Sequence, residues 1–312
     1  MCKEELKKED IKILEFLSKY KLLKVEDASL IYRTKRYYRQ RVNRLIKDKY
    51  VKKYKAYIML DKKGRKALNL TGTAYIKNIQ NEKYMDRLKA IARIATITIN
   101  SKIKFIPSWD IKEKDQYTET ARKYVGKIII DEKEYLVYYI AYKKENVYIK
   151  QLLFDINKAI NYDEIIIFVE NLNVIQEKYA NLCLAKENTY IILNTIQNKE
   201  LLKKYEKIDI HELLEKTYKQ EILISNWEEA DYLLQDNTYI VNMIFINTEK
   251  IERINWYYRE NSNSTRKIEV ITIEENAEKL KEILSEQCKI KIIDRDLLNR
   301  ELLGGMNETI TE

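Results

Sequence analysis

The chain has 312 residues, with 58 Lys+Arg against 49 Asp+Glu and a formal net charge of +9. A hydrophobic content of 45% is ample for cores, yet no apolar run reaches the roughly 18 residues of a membrane span, and the start MCKEELKKEDIK lacks a signal-like apolar stretch. No Gly-rich phosphate loop occurs, the single His211 rules out histidine-cluster metal chemistry, and the three scattered cysteines (Cys2, Cys183 and Cys288) form no CxxC site. A cytoplasmic protein without membrane association or bound cofactor is therefore expected, with two domains at about 100–200 residues each.

The charge is unevenly spread. Residues 1–70 carry 22 Lys+Arg and 9 Asp+Glu, so the remaining 242 residues, 71–312, hold 36 basic and 40 acidic groups. All of the positive excess lies in the first quarter, which points to a polyanionic partner for that part.

In chain order, Glu9 to Tyr20 has Ile11, Ile13, Leu14 and Leu17 at helical spacing. Val25 to Tyr32 reads as a short second helix opened by acids. Thr34 is placed to cap a third helix running to about Lys49, and YVKKYKAYIML then supplies two short strand-like runs. Gly64 is read as a turn into a fourth helix. Three helices and a basic two-stranded hairpin are the order of a winged helix-turn-helix, assigned to residues 1–70.

The third helix divides into two faces at about 100° per residue. Tyr38, Val42, Leu45 and Ile46 share the inward side. Arg33, Arg36, Tyr37, Gln40, Asn43, Arg44 and Lys47 occupy the other. Arg, Gln and Asn pair bidentately with base edges, so Arg36, Gln40 and Asn43 are the candidate base readers, with Arg33, Thr34, Lys35 and Tyr37 beside them. Arg39, Arg41, Arg44 and Lys47, with Lys52, Lys53 and Lys55 of the hairpin, are the candidate phosphate contacts. Between Arg33 and Lys55 eleven basic residues face one acid, Asp48. Duplex DNA is the expected partner.

Residues 71–83 read as a polar linker. Tyr84 to Ile97 is an amphipathic helix opening an α/β domain expected over 84–220. Strand-like runs follow at 126–131, 134–142, 163–171 and 188–196, with helical patterns at 146–160, 173–186 and 198–218. Strands alternating with helices imply a mixed α/β sheet. Residues 221–302 add more of both, as a second lobe or a continuation of the sheet, and 303–312 form a tail. His211 and Trp109, Trp227 and Trp256 are read as structural: the histidine as a cap or surface residue, the tryptophans as core or interface.

A hairpin followed by a helix and a third strand is the layout of a restriction-endonuclease-like core. Such a site needs carboxylates on one face to hold Mg²⁺ and a Glu-x-Lys on the second strand. Asp131 stands at the strand end, but EYLVYYIAYKK has tyrosine and alanine where the Glu and Lys should be. The core therefore reads as degenerate, and Asp131, Glu134 and Asp110 are metal ligands only on a nuclease reading. The basic helical segment, YMDRLKAIARI, Trp109 and IIIDEKEYLVYYIAYKKENVYIKQLLFDI together resemble the replication-relaxation family. The resemblance spans about residues 9–200. It implies a winged helix joined to a nuclease-like fold and a role on plasmids, phages or conjugative elements. The expectation is a non-catalytic, sequence-specific DNA-binding protein of replication, partition or transfer. It would bind repeated sites as a homodimer, its body available to a protein partner. The alternatives are a transcription regulator with a ligand-sensing body and a Mg²⁺-dependent nuclease.

Overall fold

Helix α1 (Lys8–Tyr20) opens with Asp10 at its third position, whose carboxylate accepts the Lys7 backbone N–H at 2.8 Å. The computed structural model describes residues 6–34, 36–70, 81–114, 123–141, 146–158, 164–173, 188–205, 207–261 and 265–298. The chain is a mixed α+β protein that divides into two compact units: Met1–Glu119 with Val125–Ile130, and Thr120–Tyr124 with Asp131–Glu312.

In the first unit, α1 buries Ile13, Leu14, Phe16, Leu17 and Tyr20; Ile11 falls outside that arc and is 40% exposed. Strand β1 (Leu23–Lys24) comes next, and the Val25 N–H extends its pairing by bonding the Ala56 carbonyl at 2.9 Å. That bond holds Val25 out of a helix, so α2 is only Ala28–Tyr32. Helix α3 (Tyr37–Lys47) starts later than expected. Arg33 is left-handed (φ 53°), and Arg36, not Thr34, stands at the cap position without a side-chain cap bond.

Strands β2 (Val51–Tyr54) and β3 (Tyr57–Leu60) form an antiparallel hairpin around Lys55 and Ala56, and β1 completes the sheet in the order β1-β3-β2. Lys55 has φ 53° in this tight turn. Gly64 does not introduce helix α4 (Lys62–Ala67) but lies buried inside it. A Cβ there would sit 2.2 Å from the Tyr50 carbonyl oxygen, so the residue permits a close backbone approach.

Of the expected linker, residues 71–80 lie outside the described residues. Its last part is helical: Asn81 accepts the Tyr84 N–H at 3.0 Å and α5 runs Glu82–Ala95. Met85, Leu88 and Ala92 of α5 share a buried cluster with Leu22, Tyr57 and Met59, against which Tyr54 and Trp109 pack. Helix α5 is thus part of the N-terminal core rather than the opening of a separate body. The unit also contains β4 (Lys104–Pro107), α6 (Ser108–Lys114) and β5 (Gly126–Ile130), with β4 and β5 antiparallel. Neither β4 nor α6 has a sequence pattern long enough to be read.

The second unit holds β6 (Lys133–Ile140), α7 (Asn146–Lys158), β7 (Glu164–Val169) and β8 (Asn188–Leu193), with β6-β7-β8 parallel. All but one residue of the expected 173–186 helix lie outside the described residues. The expected 198–218 helix is two, α8 (Ile196–Tyr205) and α9 (Ile210–Tyr218), because Asp209 caps a new start by accepting the Glu212 N–H.

Next come β9 (Leu223–Ile224), β10 (Tyr232–Leu233), β11 (Thr238–Asn242), β12 (Ile246–Asn247), α10 (Thr248–Glu260), β13 (Lys267–Thr272), α11 (Glu274–Ile283) and β14 (Lys289–Ile292). These form a separate sheet in the order β14-β13-β11-β10-β9, except β12, which pairs antiparallel with β8. The described residues of the 221–302 segment therefore build a sheet of their own and lend one strand to the other. The 303–312 tail lies outside the described residues. Among the described residues no helix is long and apolar enough to cross a membrane.

Candidate nucleic-acid interface

Helix α3 buries Tyr38, Arg41, Val42 and Leu45 and exposes Arg36, Tyr37, Arg39, Gln40, Asn43, Arg44 and Lys47. The outward set joins the three candidate base readers to four of the candidate flanking residues on one short helix. Arg36, Gln40, Asn43 and Lys47 have no side-chain partner among the described residues. Arg39 donates Nε to the Tyr38 hydroxyl at 3.0 Å, and Arg44 has Asp48 at 3.6 Å. Tyr37 is 37% exposed and accepts a hydrogen bond from Lys7 Nζ at 2.7 Å, the ammonium lying 5.1 Å from its ring centroid.

The residues leading into the helix are held in place. Arg33 donates to Asn100 Oδ1 at 3.1 Å, and Asn100 Nδ2 bonds the Leu30 carbonyl at 3.0 Å. Thr34 is exposed, and Lys35 lies outside the described residues. In the hairpin Lys53 and Lys55 are exposed, Lys55 lying 5.8 Å from the Tyr54 ring, whereas Lys52 is half-buried.

Arg41 requires a correction. Expected at a phosphate, it is 7% exposed and forks onto Asp10, itself 0% exposed, through Nη2 and through Nε at 3.3 Å. The Tyr32 hydroxyl donates to the same carboxylate. Burial and that acceptor push the Tyr32 phenol well above its usual range, and the Asp10 hydrogen bond raises the Arg41 guanidinium further. Arg41 looks like any other cation in the sequence because its partner is 31 residues away. Lys7, which orders Tyr37 from 30 residues away, was equally illegible. Lys62, Lys63 and Lys66 of α4 are further exposed cations of this unit, Lys63 lying 4.2 Å from the Tyr50 ring.

The carboxylates of the nuclease reading fall in different units, Asp110 in the first and Asp131 and Glu134 in the second. Asp131 and Glu132 are both left-handed (φ 40° and 76°), the geometry of a tight two-residue turn, and their side chains are exposed, as is that of Glu134. Asp110 lies in the first turn of α6, where its charge opposes the burial that lowers the Lys21 ammonium. Among the described residues no group of three or more His, Cys, Asp or Glu could hold a metal ion.

Elsewhere, His211 Nε2 lies 2.8 Å from the Ile222 carbonyl oxygen, and Asp209 rather than His211 caps α9. Trp227 packs on Tyr239 and Tyr257, with the Arg266 guanidinium 4.5 Å from its ring centroid, while Trp256 is 59% exposed. Comparison with protein-family models, curated proteins and solved structures gave no match to this chain.

Proposed function

We propose that the first unit is a winged helix-turn-helix that reads duplex DNA, with α3 in the major groove and the β2–β3 hairpin on the neighbouring backbone. One observation carries the reading. The outward face of α3 presents Arg36, Gln40 and Asn43 without side-chain partners among the described residues, and Lys53 and Lys55 stand exposed on the hairpin that follows. One such helix reads only a few base pairs, which favours a homodimer on repeated sites. Acting without catalysis in replication, partition or transfer of a mobile element accords with the family resemblance. A degenerate restriction-endonuclease-like core accords with the order β5, β6, α7, β7 and with the turn position of Asp131.

The test is selection of bound duplexes from a random-sequence library in Mg²⁺ buffer, with the ends of recovered molecules sequenced. An enriched intact motif supports the reading. Cut ends would make the protein a nuclease, and no enrichment would reduce the α3 face to a solvated surface.

A second reading, a transcription regulator whose body takes a small molecule, would use a half-open cleft of about 720 Å³ in the second unit, lined largely by polar residues. Its lining includes Tyr218, Leu234, Tyr258, Arg266, Glu269 and Lys289. A change in the affinity of the selected duplex on adding a metabolite mixture would separate the two readings.

A further inference from the structure

We infer that Asp10, a residue of the first helix with no exposed surface, is a positioning residue that sets the rotation of α3 and so decides where its base readers point; the inference rests on the DNA-binding reading above. Asp10 collects donors from three segments: the Lys7 N–H at 2.8 Å, the Tyr32 hydroxyl at the end of α2, and the Arg41 guanidinium in the middle of α3. Arg41 occupies an inward position between Tyr38 and Leu45, on a stripe that is otherwise apolar.

An apolar side chain there would hold the helix by contact that is not directional and tolerates small rotations. A guanidinium fork on a buried carboxylate does not, because both N–H vectors must meet the oxygens at once. The angular tolerance matters. With an outer helix radius of about 5–6 Å, a rotation of about 20° moves the exposed side chains by about 2 Å, more than the spread of hydrogen-bond lengths.

Stability alone does not call for this arrangement, since replacing a buried ion pair by apolar groups of similar volume is often neutral or favourable. The same end of α1 also reaches α3 a turn earlier, where Lys7 Nζ bonds the Tyr37 hydroxyl at 2.7 Å. Two directional contacts one turn apart define the angle at which Gln40 and Asn43 face outward. Asp10 itself touches no DNA on this account.

The test separates positioning from stability. The Asp10→Leu, Tyr32→Phe, Arg41→Met variant removes the carboxylate and both side-chain donors together, so that neither donor is left facing a missing Asp10, while the Lys7 N–H at the start of α1 loses its acceptor. It is compared with wild type by thermal unfolding and by the ratio of Kd values for a scrambled and a selected duplex at one salt concentration. The expected result is a folded protein that binds scrambled DNA as wild type does but loses about tenfold or more of its preference per displaced base contact. A folded variant with the wild-type ratio overturns the inference while leaving DNA binding intact. Should the triple variant fail to fold, Arg41→Lys keeps the charge but not the fork. A reduced ratio in that variant is expected, and an unchanged one overturns the inference. A wild-type protein without sequence preference overturns both the inference and the reading beneath it.

Discussion

Helices α3 and α10 are both amphipathic, yet their charged faces are organised differently. On α10, Lys250 reaches Asp231 at 2.6 Å and Arg253 reaches Glu249 at 2.5 Å, so its central cations are answered by nearby carboxylates. On α3, Arg41 turns inward onto Asp10, Arg44 lies beside Asp48 and Arg39 donates to the Tyr38 hydroxyl, whereas Lys47, and Arg36 at the cap position, face outward with no acidic partner among the described residues. A charged helical face alone does not indicate a polyanion site. What does is a face whose cations are left for something outside the chain.

The largest expected effect is of salt. If the α3 and hairpin cations make about six to ten phosphate contacts, affinity for duplex DNA should fall by about 10³–10⁵ between 50 and 200 mM salt. Anisotropy titrations over that range measure it, and a flat response would remove α3 from the interface. Base reading comes next. Gln40→Ala or Asn43→Ala should each cost about 1–3 kcal/mol of discrimination at one position of the selected site, with binding to scrambled DNA unchanged.

The third expectation reverses the readout. Lys250→Ala on α10 should lower stability by about 1 kcal/mol through its lost ion pair and leave DNA affinity alone, whereas Lys47→Ala should leave stability within about 0.5 kcal/mol. Denaturant unfolding and anisotropy on both variants check this, and a Lys250→Ala variant that binds DNA less well would dissolve the contrast. The smallest effect belongs to the hairpin, where Lys53→Ala should weaken binding to all sequences alike and reduce the slope of log affinity against log salt by about 0.9.

Much of the division of α3 into an inward and an outward face was legible because helical periodicity is local. Tyr38, Val42 and Leu45 repeat at the spacing that marks an inward stripe, so the outward positions follow by exclusion. Periodicity cannot say what a charged residue does when it falls inside the stripe. Arg41 is such a residue, and only Asp10 on another helix reveals that it is core. Helix starts were misread for a related reason. Thr34 is a good capping residue, but the left-handed Arg33 and its bond to Asn100 belong to a path of the chain that capping preference does not record.

From the sequence alone came the concentration of positive charge before residue 70, the order of the helices and the β2–β3 hairpin in that segment (though not β1), and the inward and outward faces of α3. Composition and short-range periodicity are properties of neighbouring residues, and they persist wherever the segment ends up. The burial of Arg41, the place of Gly64 under the Tyr50 carbonyl, the share of α5 in the N-terminal core and the turn at Asp131 emerge from long-range packing. So does the pairing of β12 with β8 while its neighbours in sequence form another sheet. Each of these depends on a partner distant in the chain or on a backbone angle set by packing, and no local pattern carries either.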